Sequence, residues 1–237
     1  MRRYRNPKAK APQPALPKLE QFDLDAFARD IVIEREHLTF LSWDSIIENG
    51  ADYSRDEAEE QTRNHIDYMC NPDGSYFTGI LYETDWYGNM DYYRLYKDGL
   101  KDGPDVEFYP SGAVKNYCVW HHLAIVNYYA WYESGRISGY AFTDPAGVWK
   151  SYRWYESGRI LGYAIQDRNT DKSYEWYESG RLMRYTFHNH STDNKETFVW
   201  YENGKLKEYD CRERSGYQIQ YTRYDAAGNI TEDIRRP

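Results

Sequence analysis

The sequence predicts a mainly β protein: an elongated antiparallel β-hairpin repeat array with a period of about 23 residues and a small helical N-terminal cap. Three observations carry that expectation. The stretch Trp-Tyr-Glu-Ser-Gly-Arg stands at residues 131–136, 154–159 and 176–181, with looser copies at 108–112, 200–205 and 224–228. Counting from Gly88, the anchor glycines Gly112, Gly135, Gly158, Gly180, Gly204 and Gly228 follow at intervals of 24, 23, 23, 22, 24 and 24 residues. Around each anchor the same residue types recur. An apolar residue lies two positions on (Met90, Val114, Ile137, Ile160, Leu182, Leu206, Ile230), and a tyrosine lies five on in six copies (Tyr93, Tyr117, Tyr140, Tyr163, Tyr185, Tyr209). Residues two apart share one face of a strand, and aromatic residues are good strand formers. A glycine preceded by Ser or Asn supplies the positive φ of a tight turn. Each unit therefore reads as a two-stranded hairpin.

Taken in order, residues 1–19 hold four of the nine prolines and six basic side chains with no acidic one. That composition predicts a disordered or extended tail. Residues 20–70 read as the helical cap. Asp23 is placed to cap a helix through Ala26, Phe27, Ile31 and Ile33, although the run Ile31-Val-Ile33 suits a strand as well. Residues 43–48 suit a short helix with Gly50 near its C-terminus. Ser54-Arg-Asp-Glu57 has the form of a capping box, opening a helix that runs to about Met69. Such a cap would close the exposed first edge of the repeat sheet. Asn71-Pro-Asp-Gly74 reads as a turn, and residues 71–237 form the repeat domain. About 14 strands at the usual spacing give a sheet ~65 Å long.

The unit Tyr-Tyr-Glu-x-Gly-Lys/Arg-Leu/Ile at this period resembles the variant MORN repeat of bacterial antitoxin or immunity proteins. Phe77-Thr-Gly-Ile-Leu-Tyr82, followed by Tyr96-Lys-Asp-Gly-Leu-Lys-Asp-Gly103, is similar to the same repeat in fuller form. The resemblance covers roughly residues 75–237. After Gly103 the second glycine-rich turn of each repeat gives way to unlike loops. The last copy, Tyr224-Asp-Ala-Ala-Gly-Asn-Ile230, resembles instead the YD repeat of Rhs proteins. What the resemblance implies is a non-enzymatic immunity protein that binds a cognate toxin domain.

Composition narrows the classes further. Aromatic residues make up 18% of the chain, 26 of them tyrosine, while mean hydropathy is −0.95. The expected core is made of stacked rings rather than aliphatic layers, since Tyr and Trp bury a large area and keep a polar edge. No apolar run is long enough to span a membrane, and no apolar stretch follows Met1-Arg-Arg-Tyr-Arg, which argues against a secretory signal. Cys70, Cys118 and Cys211, odd in number and widely spaced, predict reduced thiols and a cytoplasmic setting. Net charge is −8; beyond residue 19 the chain carries 24 basic and 38 acidic groups, a net of −14. An acidic body disfavours nucleic acid and anionic lipid and favours a basic protein partner.

A catalytic constellation is not evident. His188-x-His190 and the pair His121-His122 are the metal-like signals, but no Cys or carboxylate pattern accompanies them in sequence, and no metal or cofactor is expected. Glu133, Glu156, Glu178 and Glu202 recur two residues before each anchor glycine. Equivalent exposed turn positions cannot give the one neutral and one charged carboxyl of a glycosidase; turn solubility and pairing with the next Arg account for them. The chain is not expected to be an enzyme.

Specificity belongs to what does not recur. The loops between repeats differ in every unit and line up along one rim, where repeat insertions bind partners. The expected partner-binding residues are His121, His122, Asp144, Asp167, Arg168, Asp171, His188, His190 and Asp193. The leading reading is an immunity protein that occludes the active or substrate surface of a toxin domain. The rival is a MORN-type scaffold or membrane-surface module, for which the acidic body is unsuited and only the basic tail offers a route.

Overall fold

The structure, a computed structural model, describes residues 14–20, 22, 24, 38–213 and 215–236. The chain is mainly β. After one short helix, α1 (Trp43–Asn49), come β1 (Gly50–Asp52), β2 (Glu59–Arg63), β3 (Ile66–Cys70), β4 (Gly79–Thr84), β5 (Met90–Lys97), β6 (Leu100–Phe108), β7 (Val114–His121) and β8 (Ala124–Trp131). Then follow β9 (Ile137–Thr143), β10 (Trp149–Trp154), β11 (Ile160–Gln166), β12 (Thr170–Trp176), β13 (Leu182–Asn189), β14 (Asn194–Trp200), β15 (Leu206–Arg212), β16 (Gln218–Tyr224) and β17 (Ile230–Arg235). From β4 onward each strand pairs antiparallel with the next, and β1 joins the far side of β4 in parallel; the result is one open sheet of 15 strands.

The hairpin unit closes as the repeat requires. In the turn after β8 the Gly135 N–H donates to the Tyr132 carbonyl and the Tyr132 N–H to the Arg136 carbonyl, each at 2.8 Å. This is a type I turn followed by a left-handed residue, one of the common hairpin closures. All seven anchor glycines have φ between 80° and 92°. At Gly158 no atom lies within 4 Å of an added Cβ, so Gly158→Val should cost the conformational penalty alone, about 1–2 kcal/mol. Urea denaturation measures it; an unchanged midpoint would refute the turn assignment.

One row, with a ring at every position but Val106, runs from β4 to β15. Tyr82, Tyr93, Val106, Tyr117, Tyr129, Tyr140, Tyr152, Tyr163, Tyr174, Tyr185, Phe198 and Tyr209 are successive cross-strand partners. Centroid distances alternate: 5.0 Å for Tyr129–Tyr140, 6.5 Å for Tyr140–Tyr152, 5.0 Å for Tyr152–Tyr163 and 6.3 Å for Tyr163–Tyr174. A residue in an antiparallel sheet is hydrogen-bonded to one neighbour and not to the other, so close and wide pairs must alternate along the row. Beside each anchor turn the register slips by one, as between Ala130 and Trp131, Arg153 and Trp154, or Glu175 and Trp176. These bulges put the apolar residue two after the glycine and the tyrosine five after it on one face, although they are three apart. Ile160 and Tyr163 accordingly join the same core.

Two further contacts explain the rest of the repeated motif. The Tyr132, Tyr155 and Tyr177 hydroxyls donate to the carbonyls of Trp154, Trp176 and Trp200 in the next unit, at 2.7–2.8 Å. Arg136, Arg159 and Arg181 each donate to the backbone carbonyl of the next turn's glutamate at 2.7 Å. The arginines were expected to pair with glutamate carboxylates; these bonds go to the main chain instead, and the side chains of Glu133, Glu156, Glu178 and Glu202 stay exposed.

The N-terminal region differs from the expected cap. The helix at residues 43–48 and the turn at 71–74 form as read, with Ser42 capping α1 and Gly74 bonded to the Asn71 carbonyl at 2.8 Å. The helix expected over residues 54–69 does not form. Glu57 accepts from the Asp52 N–H at 2.7 Å, and Asp52 caps a single 3-10 turn, Tyr53–Arg55, by accepting from the Ser54 N–H at 3.0 Å. Strands β2 and β3 then form a hairpin whose two turn residues, Asn64 and His65, both have positive φ, the two-residue closure that suits strand twist. The first sheet edge is therefore covered by β1, and the hairpin docks at the turn after β5 through Met69 N–H to Gly99 carbonyl, 2.8 Å. The helix expected from Asp23, and residues 1–13 of the expected tail, lie outside the described residues. Within the tail, Leu19 already packs against the aromatic core, together with Phe22 and Leu24. Farther along, Leu41 N–H donates to the Tyr93 hydroxyl and Phe40 packs edge-on against Tyr117. Leu19, Phe22, Leu24, Phe40 and Leu41 thus pack on the ring-bearing face of the sheet.

Candidate functional site

The rim opposite the anchor turns carries the β2–β3 hairpin at its start, packed at Leu81 and Tyr96, and the unlike turns beyond it. Strand order decides what meets there, because alternate turns fall on opposite edges of an antiparallel sheet. The unlike turns after β7, β9, β11 and β13 share one rim. Six of the nine expected partner-binding residues converge at the last two of these. Asp171 on β12 lies directly opposite His188 on β13, and His190 follows in the turn.

Their contacts form a compact cluster. His188 Nδ1 is 3.3 Å from Asp171 Oδ2, and His188 Nε2 is 3.2 Å from Asp193 Oδ1. His190 Nε2 is 3.1 Å from Asp171 Oδ1, while His190 Nδ1 is 3.2 Å from the Arg168 carbonyl. The His190 N–H donates to the Asn169 carbonyl at 2.9 Å and ties the two turns together. Asp167 accepts from the Asn169 and Thr170 N–H groups, which hold its carboxyl below the usual carboxylate range. Burial pushes the Asp171 carboxyl up, but the His190 and His188 rings outweigh this and hold it low. Contact with Asp171 and the Arg168 carbonyl raises His190. The carboxylate thought missing beside the two histidines is therefore Asp171, brought from the neighbouring strand. Asp171, His188 and His190 each offer one ligand atom, all within 4.8 Å of one another.

The cluster ends an open groove of ≈ 250 Å³ on the face away from the rings. Its floor is Ala164, Ser173 and Thr186, small residues on three adjacent strands, and Trp149 and Lys195 stand at its sides. Sequence reading missed these groove residues. Their signal is the run of small side chains at positions that alternate with the aromatic row.

The other three expected residues stand apart. Asp144 belongs to the turn after β9, where it pairs with Lys150 at 2.9 Å; that contact and the Val148 and Ala146 N–H groups hold its carboxyl low. His121 ends β7 and His122 sits in the turn that follows, two rim turns from the start of the cluster, with His121 Nδ1 3.3 Å from Asp102. Thiol chemistry has no support: Cys70 and Cys211 are buried, and burial, then Asp105, pushes Cys118 up to about 12. Among the described residues no helix is long and apolar enough to cross a membrane.

No family model matches the sequence, and no curated protein does. Among solved structures the chain is similar to a protein of unknown function from Bacteroides fragilis NCTC 9343, with 13% identity over 59% of this chain and 94% of that one, at a TM-score of 0.18. A likeness at that level carries no argument.

Proposed function

We propose that this chain is a non-enzymatic binding protein that captures a protein partner along its rim of unlike turns, and that its role is immunity. In that role it binds a cognate toxin domain in the cytoplasm and blocks the toxin's active or substrate surface. The observation that carries the reading is the division of labour along the repeat. Repeated Trp, Tyr, Gly and Arg are committed to packing, turns and latches between units. The residues left to vary, Asp167, Arg168, Asp171, His188, His190 and Asp193, gather at one rim. The acidic body steers a basic partner toward it, and interfaces concentrate their energy in a few such residues.

The test is titration calorimetry against a toxin-domain protein, sought first as the product of the neighbouring gene; a neighbour encoding no toxin domain would count against the immunity role. Replacing Asp167, Arg168 and Asp171 by serine is expected to weaken binding at least about tenfold with an unchanged circular dichroism spectrum. Glu133→Gln with Glu156→Gln is expected to bind nearly as well as the parent at physiological salt. Loss with the glutamate pair and retention with the rim triple would move the interface to the anchor turns and sink the proposal.

A further inference from the structure

The cluster that closes the groove is wired in a way that partner binding alone does not explain. Each histidine has both ring nitrogens facing acceptors, one inside the cluster and one outside it. His188 Nε2 faces the Asp193 carboxylate at 3.2 Å, and His190 Nδ1 faces the Arg168 carbonyl at 3.2 Å. Carboxylates and carbonyls only accept, and a neutral ring carries one proton, so each neutral ring must turn a lone pair on one of its acceptors. With the protons on the outer nitrogens, His188 Nδ1 and His190 Nε2 carry the lone pairs. Both point at the Asp171 carboxylate, at 3.3 and 3.1 Å. Asp171 Oδ1 is itself shut off from solvent and receives no aligned hydrogen bond, although His190 Nε2 is its near neighbour. Two nitrogen lone pairs and a carboxylate facing one another repel unless positive charge lies among them.

We infer that Asp171, His188 and His190 form a binding site for one divalent metal ion of the zinc class. Ligand atoms about 2.0–2.1 Å from a tetrahedral metal stand about 3.3 Å from one another; the two edges to Asp171, one to each carboxylate oxygen, are of that length, and all three ligand atoms lie within 4.8 Å of one another. The outer contacts have the form that metal sites use: one histidine backed by a carboxylate, the other by a main-chain carbonyl, each fixing tautomer and ring direction. The ligands are also preorganised. Asp171 and His188 are direct partners on paired strands, and the turn carrying His190 is held by the His190 N–H to Asn169 carbonyl bond and by the Asp193 N–H to Asn189 carbonyl bond at 2.7 Å. Two imidazoles and one carboxylate select zinc and its neighbours, cobalt and nickel, over magnesium or calcium. Three protein ligands leave a fourth position for water or for a donor atom from a partner. The inference does not depend on the immunity reading.

The experiment is calorimetric titration of the full chain, expressed without a histidine tag and freed of metal by chelation, with zinc chloride at pH 7.5. One equivalent is expected to bind, with no comparable heat from magnesium or calcium. Cobalt is expected to give the intense visible absorption of a tetrahedral ion. His188→Ala and His190→Ala should each abolish that equivalent, while His121→Ala with His122→Ala should leave it intact. Asp193→Asn keeps a residue that tolerates the left-handed backbone at this position (φ 59°) and should weaken binding about 10–100-fold, the cost of losing an outer-shell carboxylate. Circular dichroism excludes misfolding as the cause. Absence of zinc binding in the parent would overturn the inference and assign the positive charge to protonated histidines. Unchanged binding in both histidine variants would overturn it too, by placing the metal elsewhere.

Discussion

Phe198→Ala is expected to remove about 3–5 kcal/mol of stability, the cost of deleting a fully packed ring from a core. Phe198 is 1% exposed. Its ring lies 4.8 Å from Tyr209, 6.3 Å from Tyr185 and 6.0 Å from Trp200. Removing it interrupts the row of rings, and because each unit rests only on its neighbours, both flanking hairpins lose a packing surface at once. Equilibrium urea denaturation gives the value. Trp86→Ala is the comparison: that ring is 98% exposed, and its loss should stay within about 0.5 kcal/mol. A Phe198→Ala loss below 1 kcal/mol would mean that the row is not the stabilising element.

The second large effect is expected where the sequence suggests least. Leu19, Phe22 and Leu24 lie across the ring-bearing face; the Phe22 ring is 4.7 Å from Tyr174, 5.6 Å from Tyr163 and 5.8 Å from Trp176, edge to face in each case. Nearby, Lys172 Nζ is 2.8 Å from Glu20 Oε1. Replacing all three apolar residues by alanine should cost about 3–5 kcal/mol together, since each is half-buried and contributes part of a full core deletion. Leu16→Ala, at a position 64% exposed, should leave the thermal midpoint where it is. A triple variant melting with the parent would show that the sheet holds its rings without this cover.

Much of the architecture was legible because one hairpin repeats: glycine positions fix the turns, and ring positions fix the buried face. The bulge was legible too, and overlooked. An apolar residue and a tyrosine three apart cannot share a face of a regular strand, so their recurrence in six units required an extra residue. The latches were not legible, because a tyrosine hydroxyl reaching a carbonyl about 22 residues away leaves no mark in local periodicity. Residues 54–69 misled through a capping box: Ser54 and Glu57 both bond around Asp52 instead, and Asn64-His65 closes a hairpin. At the rim, Asp171 is recoverable by counting outward from the Gly180 turn. Tyr174 pairs with Tyr185, so three residues farther out Asp171 pairs with His188. The contact of His190 with the same carboxylate depends on how the turn folds back, which no count supplies.

The latches between units have an evolutionary consequence. Tyr132, Tyr155 and Tyr177 each reach an interchangeable target, the main-chain carbonyl of the following Trp, and each arginine reaches the following turn in the same way. Because the joint involves main-chain atoms, it does not depend on which side chain follows. The identical hexapeptides at 131–136, 154–159 and 176–181 mark equivalent points of exchange in the chain. Unequal recombination between them would add or drop a whole hairpin in register, preserving the row of rings while placing a different pair of rim turns side by side. A lineage could in this way reassort its rim without passing through an unfolded intermediate sequence.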